Sequence, residues 1–287
     1  MSAQLFLTAD NRNALFSAIS EAQRLLQEDQ SFGYHNQEHG YEVAYASQHL
    51  ALQFYDTSED FLQVVYYAGL CHDLCYRGSS NFLKKSGSAD LFPEWVQQLL
   101  PPWETMEFPA EDVSARIAVY LLRKNGFGDG EVIERVSHAI MMTAVPKSIA
   151  LRADVDGGDP LAVVLTAADL WESVSDPLQT MQGILKLYQE HDQEAIQKGL
   201  VSFWEEYHEN GMTSEALSLL AKSTFGFFGF VVAPDGNWKG GTDFAKAGHP
   251  VFAATAQKTF ATIQAIATNP QDYPEMVEHF EALLANC

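Results

Sequence analysis

Ala68-Gly69-Leu70-Cys71-His72-Asp73-Leu74-Cys75-Tyr76-Arg77-Gly78-Ser79-Ser80-Asn81-Phe82 decides the reading of this chain. An apolar run, Phe61 to Leu70, leads directly into a His-Asp doublet, and a Gly/Ser turn follows. The pattern predicts a buried helix ending in an imidazole and a carboxylate beside a loop. Buried polar groups need partners, and the obvious partner for His next to Asp is a metal ion. A helix-terminal Asp beside a hydrogen-bonded core histidine explains the doublet equally well. The rest of the chain decides between the two.

Outward from this stretch the chain reads as helix after helix. Upstream, Asn11 to Gln30 carries Leu15, Ile19, Leu25 and Leu26 at helical spacing, and Glu38 to Tyr55 places Val43, Ala46, Leu50 and Phe54 on one face. The central helix, Glu59 to Cys75, is capped by Ser58 or Thr57. Downstream, Arg77 to Asp90 reads as a polar loop, and Phe92 to Leu100 as a short helix stopped by Pro101-Pro102. Helices follow at Ala110 to Lys124, Glu131 to Ala144 and Pro160 to Ser173. Amphipathic acidic stretches at Leu178 to Gln197 and Gly199 to Glu209 come next. Ser214 to Pro234 contains a Phe/Gly run that composition alone would allow as a strand; its helical neighbours favour helix. Asp235 to Pro250 is a Gly-rich loop, and Val251 to Ala267 and Pro274 to Ala285 close the chain as helices. With no alternating strands or repeats, the expected class is all-α.

Composition bounds the function. The chain has 287 residues, and 17 Lys+Arg against 38 Asp+Glu give a formal net charge of −21. So acidic a surface argues against nucleic acid and anionic membrane as partners. It also repels phosphates, so any phosphate site needs its own local positive charge. No apolar run approaches the ~20 residues of a membrane span, and Met1 to Asp10 has no basic signal-peptide region. Cys71, Cys75 and Cys287 make no disulfide framework. A reducing, cytoplasmic setting is expected.

Two further sites join the doublet. Tyr34-His35-Asn36-Gln37-Glu38-His39 puts two histidines four apart, which share one face if helical. Asn36 stands where a metalloprotease motif needs Glu. Asp169 ends an apolar run. His49, His138, His191, His208, His249 and His279 read as surface or satisfied core residues, and Cys71 and Cys75 as core packing. The carboxylates of Asp154 to Pro160 lack the EF-hand spacing and read as a solvated turn.

In this order, H…HD…D resembles the signature of the HD superfamily of metal-dependent phosphohydrolases. The closer likeness is to the catalytic domain of 3',5'-cyclic-nucleotide phosphodiesterases. Tyr34-His35-Asn36-x-x-His39-Gly40-Tyr41-Glu42-Val43 looks like their first motif, and His72 to Phe82 resembles the second. Ile140 to Ala144 and Leu165 to Leu170, with Asp176-Pro177, resemble the segments around the last ligand. Ser223 to Pro234 resembles the base-binding helix. The likeness runs over Gly33 to Pro234 and implies one compact multi-helix bundle over residues 1–287, with 235–287 packed on it.

The resemblance implies roles. His39, His72, Asp73 and Asp169 would hold a first metal, and Asp73 would bridge to a second. The two divalent ions would be Zn, Mg, Mn or Fe, with an attacking hydroxide between them. His35 would be the acid that protonates the leaving oxygen. Tyr34, Thr224 and Phe227 would line the substrate, with Phe227 clamping a base. Asn36, Tyr76 and Thr143 would stand just behind the metals. The chain also departs from the pattern. Tyr76 stands where the family has His, Ala144 where it has Asp, and Thr224 where it has a base-reading Gln. A Glu-x-x-His stretch is not found in Asp90 to Ala110. The Phe/Gly run fits a closely packed helix as well as a pocket wall. The expected function is metal-dependent hydrolysis of a phosphoester in a small anionic substrate, foremost a cyclic nucleotide. The alternatives are another nucleotide or a phosphomonoester as substrate, or a metal- or nucleotide-binding regulatory protein without turnover.

Overall fold

The computed structural model describes residues 2–28, 35–144, 159–190, 194–228 and 250–285. Helices dominate them, as the periodicity predicts. Strand pairing among the described residues is a parallel contact of β1 (Ser2–Ala3) with β2 (Asp56–Thr57). Contacts group the chain into two compact units, Met1–Trp171 and Glu172–Cys287.

The first unit holds α1 (Ala9–Glu28), α2 (Gln37–Phe54), α3 (Glu59–Cys71), α4 (Ser80–Ser86), α5 (Glu94–Gln97), α6 (Ala110–Lys124), α7 (Gly130–Met141) and α8 (Pro160–Ser175) as far as Trp171. The hub is α3, which packs on α1, α2, α6 and α7. Its sequence explains why: Phe61, Val64, Val65, Tyr67, Ala68 and Leu70 are all buried, so the helix is apolar nearly all round. Ser58 caps it, accepting from the Phe61 N–H at 3.3 Å, and the Tyr67 hydroxyl donates to the Ala118 carbonyl of α6 at 2.7 Å. Against α2 the fit is close. A Cβ at Gly69 would lie 2.5 Å from the Ala44 Cα.

The N-terminal segment is clasped to the start of α3. Leu5 exchanges two hydrogen bonds with the Ser58 hydroxyl. The Leu7 N–H donates to Asp60, and Arg12 binds the same carboxylate through two nitrogens. Asp60 lies in the first turn of α3, where the helix dipole favours a carboxylate.

One segment departs from the reading. Arg77 to Asp90 is predicted as a polar loop, yet Tyr76–Gly78 forms a 3-10 turn and α4 follows. Ser79 caps α4 by accepting from the Phe82 N–H, and Gly87 closes it at φ 69°. Cap and stop residues are a helix signature, here masked by serines and lysines around one fully buried residue, Leu83.

The second unit contains α9 (Pro177–Glu190), α10 (Glu194–Asn210), α11 (Ser214–Phe228), α12 (Pro250–Thr268) and α13 (Pro274–Leu284). Here α11 packs on the other four, burying Ala216, Leu217, Leu220 and Ala221. The Ser218 hydroxyl ties it to the Ala267 carbonyl at 2.7 Å. The Phe/Gly run is helical as far as Phe228. The rest of that run, the Asp154 to Gly158 turn and the Gly-rich loop up to His249 lie outside the described residues. Among the described residues no helix is long and apolar enough to cross a membrane.

Candidate metal centre

Three elements of the first unit deliver the donor side chains. His39 stands in the first turn of α2. Asn36 caps that helix, its side-chain oxygen accepting from the His39 N–H at 3.1 Å. His72 is the residue at which α3 ends, and Asp73 follows in the turn. Asp169 comes from α8, nearly a hundred residues later. The start of α8 is anchored by Asp159, which takes two hydrogen bonds from Arg135 of α7 and one from the Leu161 N–H.

His35 lies outside the helix that carries His39. A shared helix face with His39 requires both residues to be helical, but α2 begins at Gln37 and Asn36 is extended. The cap itself excludes His35 from the helix. The bend still brings the two rings edge to face, 5.8 Å between centroids, and sets His35 Nε2 3.7 Å from Asp73 Oδ2.

The four expected ligands converge. One donor atom from each of His39, His72, Asp73 and Asp169 lies within 4.8 Å of all the others. His72 Nε2 is 3.1 Å from Asp73 Oδ2 and 3.3 Å from Asp169 Oδ1. His39 Nε2 is 3.5 Å and 3.6 Å from the same two oxygens. The two Nε2 atoms are 3.3 Å apart. Ligands about 2.1 Å from one ion lie about 3.4 Å apart in a tetrahedron and about 3.0 Å apart at adjacent octahedral corners. The spacing therefore fits one divalent cation.

The chemistry of the donor set points the same way. His72 Nδ1 lies 2.7 Å from the Gly69 carbonyl oxygen, which only accepts, so Nδ1 carries the proton. In the neutral ring Nε2 then offers a lone pair to the cluster. Two such nitrogens and two carboxylates facing inward repel unless a positive charge sits among them. Burial opposes a charged His72, yet Asp73 and Asp169 outweigh it and lift the imidazole to about 10. Burial pushes Asp169 up, but His39 and His72 draw it down to about 2. Asp73 is held well below the usual carboxylate range by His72 and His35, against the effect of burial.

Sequence reasoning missed a third carboxylate. Glu111, in the first turn of α6, is raised to about 7 by burial and by Asp73, with Asp169 adding to the repulsion. It stands one residue beyond the segment searched for a Glu-x-x-His stretch. An acid in a first turn has an ordinary explanation in the helix dipole, so only its neighbours mark it. A divalent cation among Asp73 and Asp169 would offset this repulsion, though not the effect of burial.

The remaining candidates fall as follows. Thr143 is buried just past the end of α7, its hydroxyl donating to the Ile140 carbonyl at 2.7 Å. Thr224 and Phe227 belong to α11 of the second unit. The Thr224 hydroxyl is fully buried and donates to the Leu220 carbonyl at 2.8 Å. Tyr34 and the side chain of Tyr76 lie outside the described residues. Cys71 and Cys75 are buried and outside any disulfide, as expected of core residues, and burial pushes Cys71 up to about 12. Compared with known proteins, the chain matches no family model, no curated protein and no solved structure.

Proposed function

We propose that this protein is a metal-dependent phosphohydrolase of the HD type, with a cyclic-nucleotide phosphodiester as its foremost substrate class. The convergence of His39, His72, Asp73 and Asp169, with His35 against Asp73, carries the reading. Divalent cations held there supply Lewis acidity and lower the pKa of water toward neutrality. The four side chains would hold a first ion, and Asp73 would also contribute to a second. His35, oriented by Asp73, would give a proton to the leaving oxygen. Bound divalent cations would also supply the local positive charge that a chain of net charge −21 otherwise lacks.

Thr224 favours a second reading. Its buried hydroxyl donates to the Leu220 carbonyl, which leaves it no proton to give a base edge. A phosphohydrolase acting on another nucleotide or on a phosphomonoester is the alternative.

Metal analysis and a substrate panel test both. We expect co-purifying or added Mn2+ to support hydrolysis of bis(p-nitrophenyl) phosphate and of cyclic AMP, cyclic GMP and a cyclic pyrimidine nucleotide. Without a buried amide to be left unpaired, kcat/KM for the three cyclic nucleotides should agree within about 10–200-fold, the range of shape fit alone. Asp73→Ala should lose metal and turnover together. Turnover of monoesters alone moves the assignment to the second reading. A wild-type protein that neither binds a divalent cation nor hydrolyses any phosphoester overturns both.

A further inference from the structure

A concave site lies in the first unit between α6 and α7, with a cavity volume of about 790 Å3. That is within the ~300–1,000 Å3 range of small-molecule sites. Its apolar lining comes from Val119 and Tyr120 of α6, Ile133 of α7 and Leu99. The Tyr120 ring is itself held flat against Trp95, 5.3 Å between centroids and 19° between planes. None of the metal-centre residues lines the cavity. Glu111 and Arg123 share α6 but stand twelve residues apart, roughly 18 Å along the axis.

The lining residues carry more cations than carboxylates, and one of those cations is left without an ion pair among the described residues. The whole chain has 17 Lys+Arg, and three of them, Arg116, Arg123 and Lys124, line this one groove. They fall at i, i+7 and i+8, on one side of α6. Asp112 holds Arg116 and Glu21 holds Lys124, which fixes the two outer cations in place. Arg123 between them is exposed and has no ion pair among the described residues. Glu134 is the one carboxylate among the lining residues. Aromatic and aliphatic side chains lining the same groove as an exposed guanidinium suit a guest with an apolar body and an anionic head.

We propose that the groove between α6 and α7 binds a small organic anion with an apolar or aromatic body, at a site separate from the metal centre. The proposal stands whether or not the phosphohydrolase reading does.

The probe is 1-anilinonaphthalene-8-sulfonate, titrated by fluorescence into the full-length protein with N-phenyl-1-naphthylamine as its uncharged counterpart. The sulfonate should bind and the uncharged compound should bind at least about tenfold more weakly. Arg123→Glu should weaken the sulfonate about tenfold or more, and Arg123→Lys should keep most of the affinity. Val119→Trp or Ser137→Trp, which fill the groove, should abolish binding at an unchanged melting temperature. Asp73→Ala, which dismantles the metal centre, should leave binding as it is. AMP and octanoate then separate a phosphate head on a base from a carboxylate head on an alkyl chain. Equal binding of the uncharged compound, equal binding of inorganic phosphate alone, or affinity unchanged in Arg123→Glu and both groove-filling variants would overturn the proposal.

Discussion

At the scale of the residue, His35 is held at the edge of the cluster rather than in it. Its Nε2 approaches Asp73 at 3.7 Å, while the mutually close donors are those of His39, His72, Asp73 and Asp169. His35→Ala should therefore keep its metal and lose ~10²–10⁴-fold in turnover of substrates with poor leaving groups. A p-nitrophenyl diester, whose leaving group needs no proton, should lose much less. Metal content that falls in step with activity would make His35 a ligand and sink this role. Candidate donors were conspicuous in sequence as a doublet ending an apolar run, a histidine pair four apart and a carboxylate ending another run, but the choice of His39 over His35 came only from the resemblance. Glu111 was not, since nothing in its own neighbourhood sets it apart from an ordinary first-turn acid. Nor was the bond from Thr224 to Leu220. A threonine in a helix has a choice between its own backbone and a partner, and sequence does not show which it takes.

At the scale of the element, the pairing of α2 with α3 sets the distance between His39 and His72. Gly69 is where the helices meet most closely. A methyl group there would fall 2.5 Å from the Ala44 Cα and 2.9 Å from its nitrogen, and backbone cannot swing aside as a side chain can. Gly69→Ala should force the helices apart, costing about 1–3 kcal/mol of stability and loosening the cluster. We expect a lower melting temperature together with weaker metal binding, read by calorimetry and by competition with a chromogenic chelator. Full metal affinity in a stably folded Gly69→Ala protein would show that the helix spacing does not set the site. The helices themselves were legible from their periodicity. The short α4 was not, because one buried leucine in seven residues makes no periodic pattern.

At the scale of the whole molecule, acid stability sets a general effect against a local one. Net charge of −21 makes the folded chain repel itself near neutrality, and protonating surface carboxylates relieves that. The clasp at Asp60 works the other way. Hydrogen bonds from Arg12, and then from the Leu7 N–H, hold its carboxyl below the ordinary range against the effect of burial. Because the folded-state value lies below the unfolded one, the clasp stabilises fully above about pH 4 and is lost as pH falls through the folded value. Asp60→Asn should lower the melting temperature at pH 7, and the gap to wild type should close as pH drops below about 4. A gap that stays constant with pH would mean the carboxylate charge contributes nothing. Of the two units the sequence shows little. Their division, between Trp171 and Glu172, falls inside α8, so no Pro- or Gly-rich linker marks it.

The order of the donors along the chain has a consequence for synthesis. His39, His72 and Asp73 leave the ribosome close together, and Asp169 follows nearly a hundred residues later. At ~5–20 residues per second, a nascent chain spends on the order of ten seconds with three donors and no fourth. On the proposed reading, an ion captured in that interval would sit in an incomplete shell and exchange freely. The identity of the metal would then be settled late, when the last carboxylate arrives, and would reflect the ions around the finished chain rather than the first one it meets.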